Sequence, residues 1–335
     1  MKKIILAVIS LFAIVGAFVL WQTIGPTIKA PKDGYFFVHT GDDVKVLKDN
    51  LLKKGIVKNA FFLHRMSGAL RFQKAKAGRY KIEKGTSLLS LLRMLRNGQQ
   101  SPVKFAITKL RTPEKLAARI AKYFELDSAI AIKFLNNQDS LALFQVDSIS
   151  VMALVMPLTY EANWNSDMRT IYGQFKKAYD VFWDEDRKGK AANVGLTPLQ
   201  IVTLASIIDE ETNAASDRPN VASVYLNRLK SGMPLQADPT VKFALKDFGL
   251  RRILFTHLRY ESPYNTYLHT GLPPGPICTP QPNTIDAVLN APKTEYLYFV
   301  ANSTFDGTHI FTTNYADHMK YARLFQTALD MRKIK

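Results

Sequence analysis

The feature that most constrains this chain is an uncharged, mostly apolar run near its start. Lys2 and Lys3 precede residues 4–28, which contain no charged side chain. The stretch from Ile4 to Ile24 supplies the ~20 residues that cross about 30 Å of hydrocarbon. Its bulky end lacks a small-x-small cleavage site, and no lipidation cysteine follows it. We therefore predict an uncleaved signal anchor (residues 1–28) rather than a cleaved signal peptide.

The orientation of this anchor follows from its flanking charges. Because Lys2 and Lys3 should remain in the cytoplasm, residues 30–335 are expected on the extracytoplasmic side of the inner (plasma) membrane. The protein would then be a single-pass membrane protein with an exported body.

The positive charge of the chain is concentrated in its first third. Up to residue 105 there are 19 basic and 5 acidic residues, a net charge of +14, whereas the remaining 230 residues carry 26 and 23, a net of +3. Such a surface suits anionic lipid headgroups, an anionic wall polymer or nucleic acid, or is simply a solvated face. Export argues against nucleic acid as a partner.

Cysteine and histidine usage excludes several kinds of chemistry. The single cysteine, Cys278, cannot form an internal disulfide, and no candidate base lies beside it in its proline-rich run, which argues against a nucleophile. The six histidines are scattered without metal-ligand spacing. We therefore expect neither a metal site nor a cofactor.

The exported part divides into two predicted domains. Residues 29–108 read as a small α+β domain, with strands at Tyr35–His39 and Tyr80–Ile82 and a Leu-rich helix between Ser87 and Gly98. This order resembles the LysM type of glycan-binding module. Residues 109–335 are predicted to form a larger mixed α/β catalytic domain, so the fold class is α+β with an N-terminal transmembrane helix.

A strong helix start lies in the middle of the second domain. Thr197 is a good N-cap, Pro198 suits the first turn, and Gln200 completes a capping box. The apolar residues that follow predict a helix that runs to about Thr212.

The position of Glu211 on this helix distinguishes it from its acidic neighbours. At about 100° per residue, Glu211 continues the apolar stripe of Leu204 and Ile208, whereas Glu210 falls on the opposite, water-facing side. Asp209 lies on the other shoulder of the stripe. A carboxyl beside apolar residues has a raised pKa, as a general acid requires. The alternative is that Glu211 pairs with a basic residue or caps the helix end.

Polar and aromatic loop residues follow this helix. Gln236 and Asp238 can hold sugar hydroxyls, although Asp238 before a proline is also an ordinary turn residue. Tyr264 and Tyr267 offer the aromatic faces that sugar rings bind, or else belong to the core.

Six ordered motifs give the chain a specific resemblance. It resembles the YceG-like (MltG) family of endolytic peptidoglycan transglycosylases at Leu204–Thr212, Val221–Leu229, Leu235–Val241, Tyr264–Tyr267, Gly271–Gly275 and Tyr296–Val300. The family's acidic motif ends in a catalytic Glu, which maps onto Glu211. The chain departs from the family at Asp209, where Glu is usual, and at Glu210, where Lys is common. Leu158 replaces a usual Asp, for which Glu161 is a candidate substitute.

The resemblance implies a metal-free lyase reaction. Glu211 would protonate the oxygen that leaves MurNAc at the MurNAc–GlcNAc bond, and its carboxylate would then deprotonate the MurNAc 6-hydroxyl, which attacks C1 to give a 1,6-anhydro end. Gln236, Asp238, Asn265 and Tyr267 are our candidates for orienting the sugar and stabilising positive charge at C1. The resemblance further implies peptidoglycan glycan strands as substrate and peptidoglycan synthases as partners.

Two alternative functions remain open at this stage. A catalytically silent wall-binding protein would account for the anchor, the LysM-like domain and the basic face. A hydrolytic muramidase would need a second carboxyl, for which Asp238 or Asp209 is available.

Overall fold

The computed structural model describes residues 1–250 and 252–332 and shows a mixed α/β protein. The chain forms two units. The first comprises residues 1–104, 123–126 and 161–167, and the second comprises residues 105–122, 127–160 and 168 onwards. Each unit has its own apolar core.

The first unit begins with the long apolar helix and continues as a small α+β fold. Its elements are α1 (Lys2–Ile24), β1 (Tyr35–Val38), α2 (Val44–Lys53), α3 (Ala60–Ala69), β2 (Gly78–Lys81) and α4 (Leu88–Asn97). Strands β1 and β2 pair antiparallel, with Phe36 opposite Tyr80. These two rings and the leucines of α4 fill the core.

The long apolar helix α1 has no residue buried inside the protein. Of the helices in residues 1–250 and 252–332, α1 alone is by itself long and apolar enough to cross a membrane, with a mean hydropathy of 2.8 over its most apolar window. A cleaved signal sequence has the same local features.

The second unit is mainly helical. Two short strands, β3 (Val103–Ala106) and β4 (Thr159–Ala162), form one two-stranded sheet, and the residues of each strand are divided between the two units. The hairpin of β5 (Tyr298–Ala301) and β6 (His309–Thr312) pairs antiparallel. The helices are α5 (Pro113–Tyr123), α6 (Ser128–Leu135), α7 (Gln138–Ala142), α8 (Met168–Phe182), α9 (Glu185–Val194), α10 (Pro198–Glu211), α11 (Arg218–Lys230), α12 (Asp238–Leu245), α13 (Phe255–Leu258), α14 (Pro282–Leu289) and α15 (Tyr315–Met331), with a 3₁₀ turn at Val151–Leu154.

Helix α10 lies at the centre of the second unit. It packs against α9, α11, α12 and α14, and every residue from Ile201 to Asp209 is buried. A helix enclosed in this way has no solvent-facing side. The helical-wheel prediction assumed one buried face and an opposite solvent-exposed face. It therefore underestimated how much of α10 is buried.

The predicted start of α10 is confirmed in detail. The Thr197 hydroxyl accepts a hydrogen bond from the Gln200 amide at 3.3 Å, and the Gln200 side chain accepts one from the Thr197 amide at 2.9 Å. Pro198 occupies the first turn, where no intrahelical N–H is needed. The Leu-rich helix α4 likewise begins after its Ser87 cap and ends at Gly98, whose φ of 71° is left-handed.

Helix α3 was not anticipated from the sequence. Its N-cap Asn59 accepts a hydrogen bond from the Phe62 amide at 3.3 Å, which is a start signal that could have been recognised. Ser67 and Gly68 are weak helix formers and obscure the second half of the pattern.

The capping box should contribute measurably to stability. We expect Thr197→Ala to lower the free energy of unfolding by about 1 kcal/mol, because the Gln200 amide loses its acceptor. The measurement is urea denaturation of the full chain in detergent, followed by circular dichroism. The control, Thr197→Ser, keeps the hydroxyl and should lose less than half as much. An equal loss in both variants would assign the effect to the methyl group.

Candidate active site

Glu211 is the last residue of α10 and is partly exposed. Burial of its carboxyl among protein atoms raises its pKa from 4.5 to about 7. The negative charge of Asp238 raises the pKa further, whereas a hydrogen bond from Tyr225 and the positive charges of Lys242 and Arg228 lower it. The carboxyl end of a helix also disfavours a negative charge. Near neutral pH both the protonated and the ionised forms of Glu211 are therefore populated.

Tyr225 is the direct partner of this carboxyl. It lies on α11, is 1% exposed, and its hydroxyl donates to Glu211 Oε1 at 3.1 Å. Burial, together with the adjacent Glu211, raises the pKa of Tyr225 well above its ordinary value. Tyr225 therefore stays protonated and remains a fixed donor. It fixes the direction in which the Glu211 carboxyl points.

Arg228 lies on the same face of α11, one turn beyond Tyr225. Its guanidinium donates to the carbonyls of Leu297 at 2.7 Å and Leu235 at 2.8 Å. Burial lowers its pKa, but a guanidinium remains charged at any physiological pH. Arg228 thus ties α11 to the segment that leads into α12 and places a permanent positive charge near Glu211.

Asp238 and Tyr267 form a polar pair at the accessible side of the site. The Tyr267 hydroxyl donates to Asp238 Oδ1 at 2.6 Å, and Asp238 is exposed at the first turn of α12. Gln236 is also exposed, and its backbone adopts a left-handed φ of 52°. The backbone amide of Gln236 donates a hydrogen bond to the backbone carbonyl of Thr266 at 3.1 Å. This bond joins the loop of Gln236 to the loop of Tyr267. The structure therefore brings these predicted residues into one region.

Asn265 occupies a different kind of position. It is fully buried, and its amide nitrogen donates to the carbonyls of Leu258 and Tyr260 at 3.0 and 2.9 Å. Its side-chain oxygen accepts from the Tyr267 amide at 3.0 Å. Asn265 can therefore influence a sugar only through the loop that it holds, and Tyr267 is the side chain that it positions.

Glu210 does not face water as predicted. Its side chain is 13% exposed and pairs with Arg111 at 2.7 Å and Lys109 at 3.5 Å. The prediction was wrong because the segment that carries these two cations covers the side of α10 that the wheel assigned to solvent. Its contacts with two cations give Glu210 a structural role at the end of α10.

Asp209 is completely enclosed and engaged. It accepts from the Thr284 hydroxyl at 2.7 Å, and it lies 3.2 Å from Lys109 and 3.3 Å from Arg218. The Asp209 side chain is fully shielded from solvent, so a sugar bound at the surface cannot contact it. Asp209 therefore supports the end of α10 and is not available as the second carboxyl of a hydrolase.

Three other sequence candidates can now be placed. Cys278 is fully buried, and burial raises its pKa well above the ordinary value, so its thiol is unreactive. Glu161 is half exposed and pairs with Lys104 at 3.1 Å. The Tyr264 ring lies 4.7 Å from the ring of Phe243 at an interplanar angle of 48°, and Tyr264 packs against the core of the second unit. Within residues 1–250 and 252–332, no cluster of three His, Cys, Asp or Glu side chains is arranged to hold a metal ion.

Tyr225 and Arg228 were missed at the sequence level. Both lie in a recognised motif, and their spacing of three residues places them on one face of a helix. Aromatic and basic side chains on a buried stripe require polar partners, and that requirement could have pointed to them.

Comparison with known proteins shows the family to which the chain belongs. The model of the YceG-like family matches residues 36–324, so the chain belongs to the YceG-like family. It is 30% identical over 309 residues to a Bacillus subtilis protein named endolytic murein transglycosylase, covering 84% of this chain and 82% of the relative.

Two further relatives extend the comparison. A Streptococcus pneumoniae protein of the same name is 26% identical over 316 residues, which cover 83% of this chain and 56% of the relative. A crystal structure of a yceG-like protein from Listeria monocytogenes aligns with a TM-score of 0.59 and 26% identity, covering 86% of this chain and 99% of that one.

The raised pKa of Glu211 has a consequence for stability that needs no substrate. Between pH 4.5 and about 7 the native state binds more protons than the unfolded state, so the free energy of unfolding falls as pH rises. We expect Glu211→Gln to match wild type at pH 4 and to be more stable at pH 8, by up to about 3 kcal/mol. Urea titrations at both pH values measure this difference.

The adjacent glutamate provides the matched control. Glu210→Gln should destabilise the protein at pH 8, because it weakens the ion pairs with Arg111 and Lys109. If Glu211→Gln were also destabilising at pH 8, the native site would stabilise the Glu211 carboxylate rather than desolvate it.

Proposed function

We propose that this protein is a membrane-anchored endolytic transglycosylase of peptidoglycan, with Glu211 as its general acid and base. The observation that carries the proposal is a partly accessible carboxyl whose pKa is raised to about 7 and whose direction is set by Tyr225. The names of the Bacillus and Streptococcus relatives support the substrate class.

The first chemical step uses the protonated form of Glu211. Its proton passes to the GlcNAc oxygen as the bond between that oxygen and C1 of MurNAc breaks. Positive charge then develops at C1 and the ring oxygen of MurNAc. The Asp238 carboxylate, which is exposed and bound by Tyr267, is our candidate for stabilising this charge.

The second step uses the Glu211 carboxylate formed in the first. It removes the proton from the MurNAc 6-hydroxyl while that oxygen forms a bond to C1, giving the 1,6-anhydro ring. The proton returns to Glu211 and no water is consumed. A pKa near ambient pH suits both halves of this cycle, because the group must give and regain one proton.

The loop residues would bind the sugar beside Glu211. We assign Gln236 and Tyr267 to contacts with sugar hydroxyls and ring faces, because both are accessible and belong to loops joined by a backbone hydrogen bond. Asn265 takes the role of holding Tyr267 in place. Because the Asp209 side chain is fully buried, Asp238 is the candidate second carboxyl that remains for a hydrolytic route.

The first unit would keep the enzyme at the wall and the membrane. We propose that α1 is a single-pass anchor of the inner or plasma membrane with the body outside the cytoplasm. The antiparallel β1–β2 pair and its helices would form a LysM-like glycan-binding module. Peptidoglycan synthases are the partners that an anchored enzyme acting on nascent strands would meet.

The reaction and its acid can be tested together. We expect wild type to release fragments with 1,6-anhydro-MurNAc ends from purified glycan strands, and Glu211→Gln to be slower by at least ~100-fold because it lacks the proton. Mass spectrometry reads the ends, since a hydrolysed end is heavier by one water. Glu185→Gln, which alters a carboxyl that is 92% exposed, should cut normally.

The other outcomes separate the competing functions. Reducing ends from wild type would favour a hydrolase that uses Asp238. Binding of strands without cutting by wild type would favour the catalytically silent wall-binding protein.

The pH profile tests the environment of Glu211. We expect kcat/KM to fall as pH rises through about 7, because the acid step requires the protonated carboxyl. Tyr225→Phe removes a hydrogen bond that lowers the pKa of Glu211. The descending limb of the pH profile, where kcat/KM falls, should therefore move to higher pH. Asp238→Asn removes a charge that raises the pKa, so the limb should move to lower pH.

The opposite directions of these shifts are the control. Both variants keep the shape of the wild-type side chain, and general damage to the site would not shift the limb in two directions. Unshifted limbs in both variants would exclude Glu211 as the titrating group.

A further inference from the structure

A groove of about 650 Å³ lies between the end of α1 and helix α3 in the first unit. Val19 and Thr23 line it from α1, and Phe61, His64 and Arg65 are among the residues that line it from α3. The Phe18 ring lies 5.9 Å from the ring of Phe62, edge to face. The end of the apolar helix and α3 are thus neighbours.

The two phenylalanines at the start of α3 have opposite environments. Phe62 is 9% exposed and belongs to the first core, whereas the Phe61 side chain is 65% exposed. Transfer of an exposed aromatic ring from water into an apolar phase is favourable. Phe61 is therefore available to a partner outside the folded domain.

The segment of the sequence that contains this ring has no acidic residue. Residues 50–82 contain nine Lys and Arg residues and no Asp or Glu. His64 and Arg65 are exposed on α3 beside Phe61, and Lys58 and Arg71 flank the helix. An exposed apolar ring beside cationic side chains is typical of helices that lie at a membrane surface.

The position of the groove along α1 corresponds to a membrane interface. At about 1.5 Å per residue, Phe18 lies only about 9 Å before the end of the helix at Ile24. Trp21 lies about one helical turn after Phe18. It is an exposed aromatic residue of the type found in interfacial belts. If α1 spans the bilayer, Phe61 faces the boundary between headgroups and acyl chains.

We propose that α3 is an interfacial helix that binds the outer leaflet of the membrane. Phe61 inserts at the boundary between headgroups and acyl chains, and His64 and Arg65 face anionic phospholipid headgroups. The proposal rests on the proposed anchoring by α1. Two contacts, one spanning and one lying on the surface, then hold the first unit against the membrane.

Site-directed nitroxide labels on the full chain test this proposal. The native thiol of Cys278 is fully buried, so a newly introduced cysteine is labelled selectively. The variants are Phe61→Cys on α3, Phe12→Cys in the middle of α1, and Val46→Cys as an exposed control on α2. The protein is reconstituted in vesicles of equal parts phosphatidylglycerol and phosphatidylcholine, and collision with oxygen and with a water-soluble nickel chelate is measured.

The expected result is that label 61 is several-fold less accessible to the nickel chelate than label 46, and less deeply buried than label 12. Adding Arg65→Glu should increase the exposure of label 61 in phosphatidylglycerol vesicles and have little effect in phosphatidylcholine alone. Equal accessibility at positions 61 and 46 would overturn the proposal.

The label at position 12 distinguishes failure of the interfacial-helix proposal from failure of the anchor proposal. Label 12 buried in lipid with label 61 in water would overturn the interfacial helix and leave the anchor standing. Labels 12 and 61 both in water would overturn the anchor and the interfacial helix with it. Cleavage of glycan strands by the same chain is a separate readout, so neither result bears on Glu211.

Discussion

The proposed chemistry of this protein depends on the burial of the central part of helix α10. Its residues from Ile201 to Asp209 are buried, and the last two residues of the helix, Glu210 and Glu211, are partly exposed. A carboxyl at that point is surrounded by protein atoms yet retains a path to solvent. Desolvation is the largest cause of the raised pKa of Glu211, so the packing of one helix accounts for the proposed acid.

Three successive acids show how strongly the environment decides function. Asp209 is bound by Thr284 and lies beside Lys109 and Arg218, while Glu210 is held by Arg111. These contacts tie both side chains to neighbouring segments of the second unit. Glu211 instead accepts a hydrogen bond from the neutral Tyr225 hydroxyl, and the desolvation that raises its pKa outweighs the lowering effect of this bond. The first two acids therefore secure the end of the helix that carries the proposed acid, Glu211.

Local signals in the sequence were reliable where the interaction is itself local. The capping box at Thr197, the turn at Gly98 and the motif that identifies the family are all short-range patterns, and the structure or the comparisons confirm them. The exposed position assigned to Glu210 failed because Arg111 reaches it from about a hundred residues earlier. A helical wheel contains no information about which segments cover each side.

By itself the sequence determined the apolar N-terminal helix and the family, and it singled out Glu211 as the candidate acid, because composition and short ordered motifs carry these signals. Only the tertiary structure decided that Tyr225 orients the acid, that Asp238 and Tyr267 pair, and that Asn265 is a buried loop support. These contacts join residues from different elements. Their burial and charge arise from packing, and packing is what sets the pKa on which the proposed reaction depends.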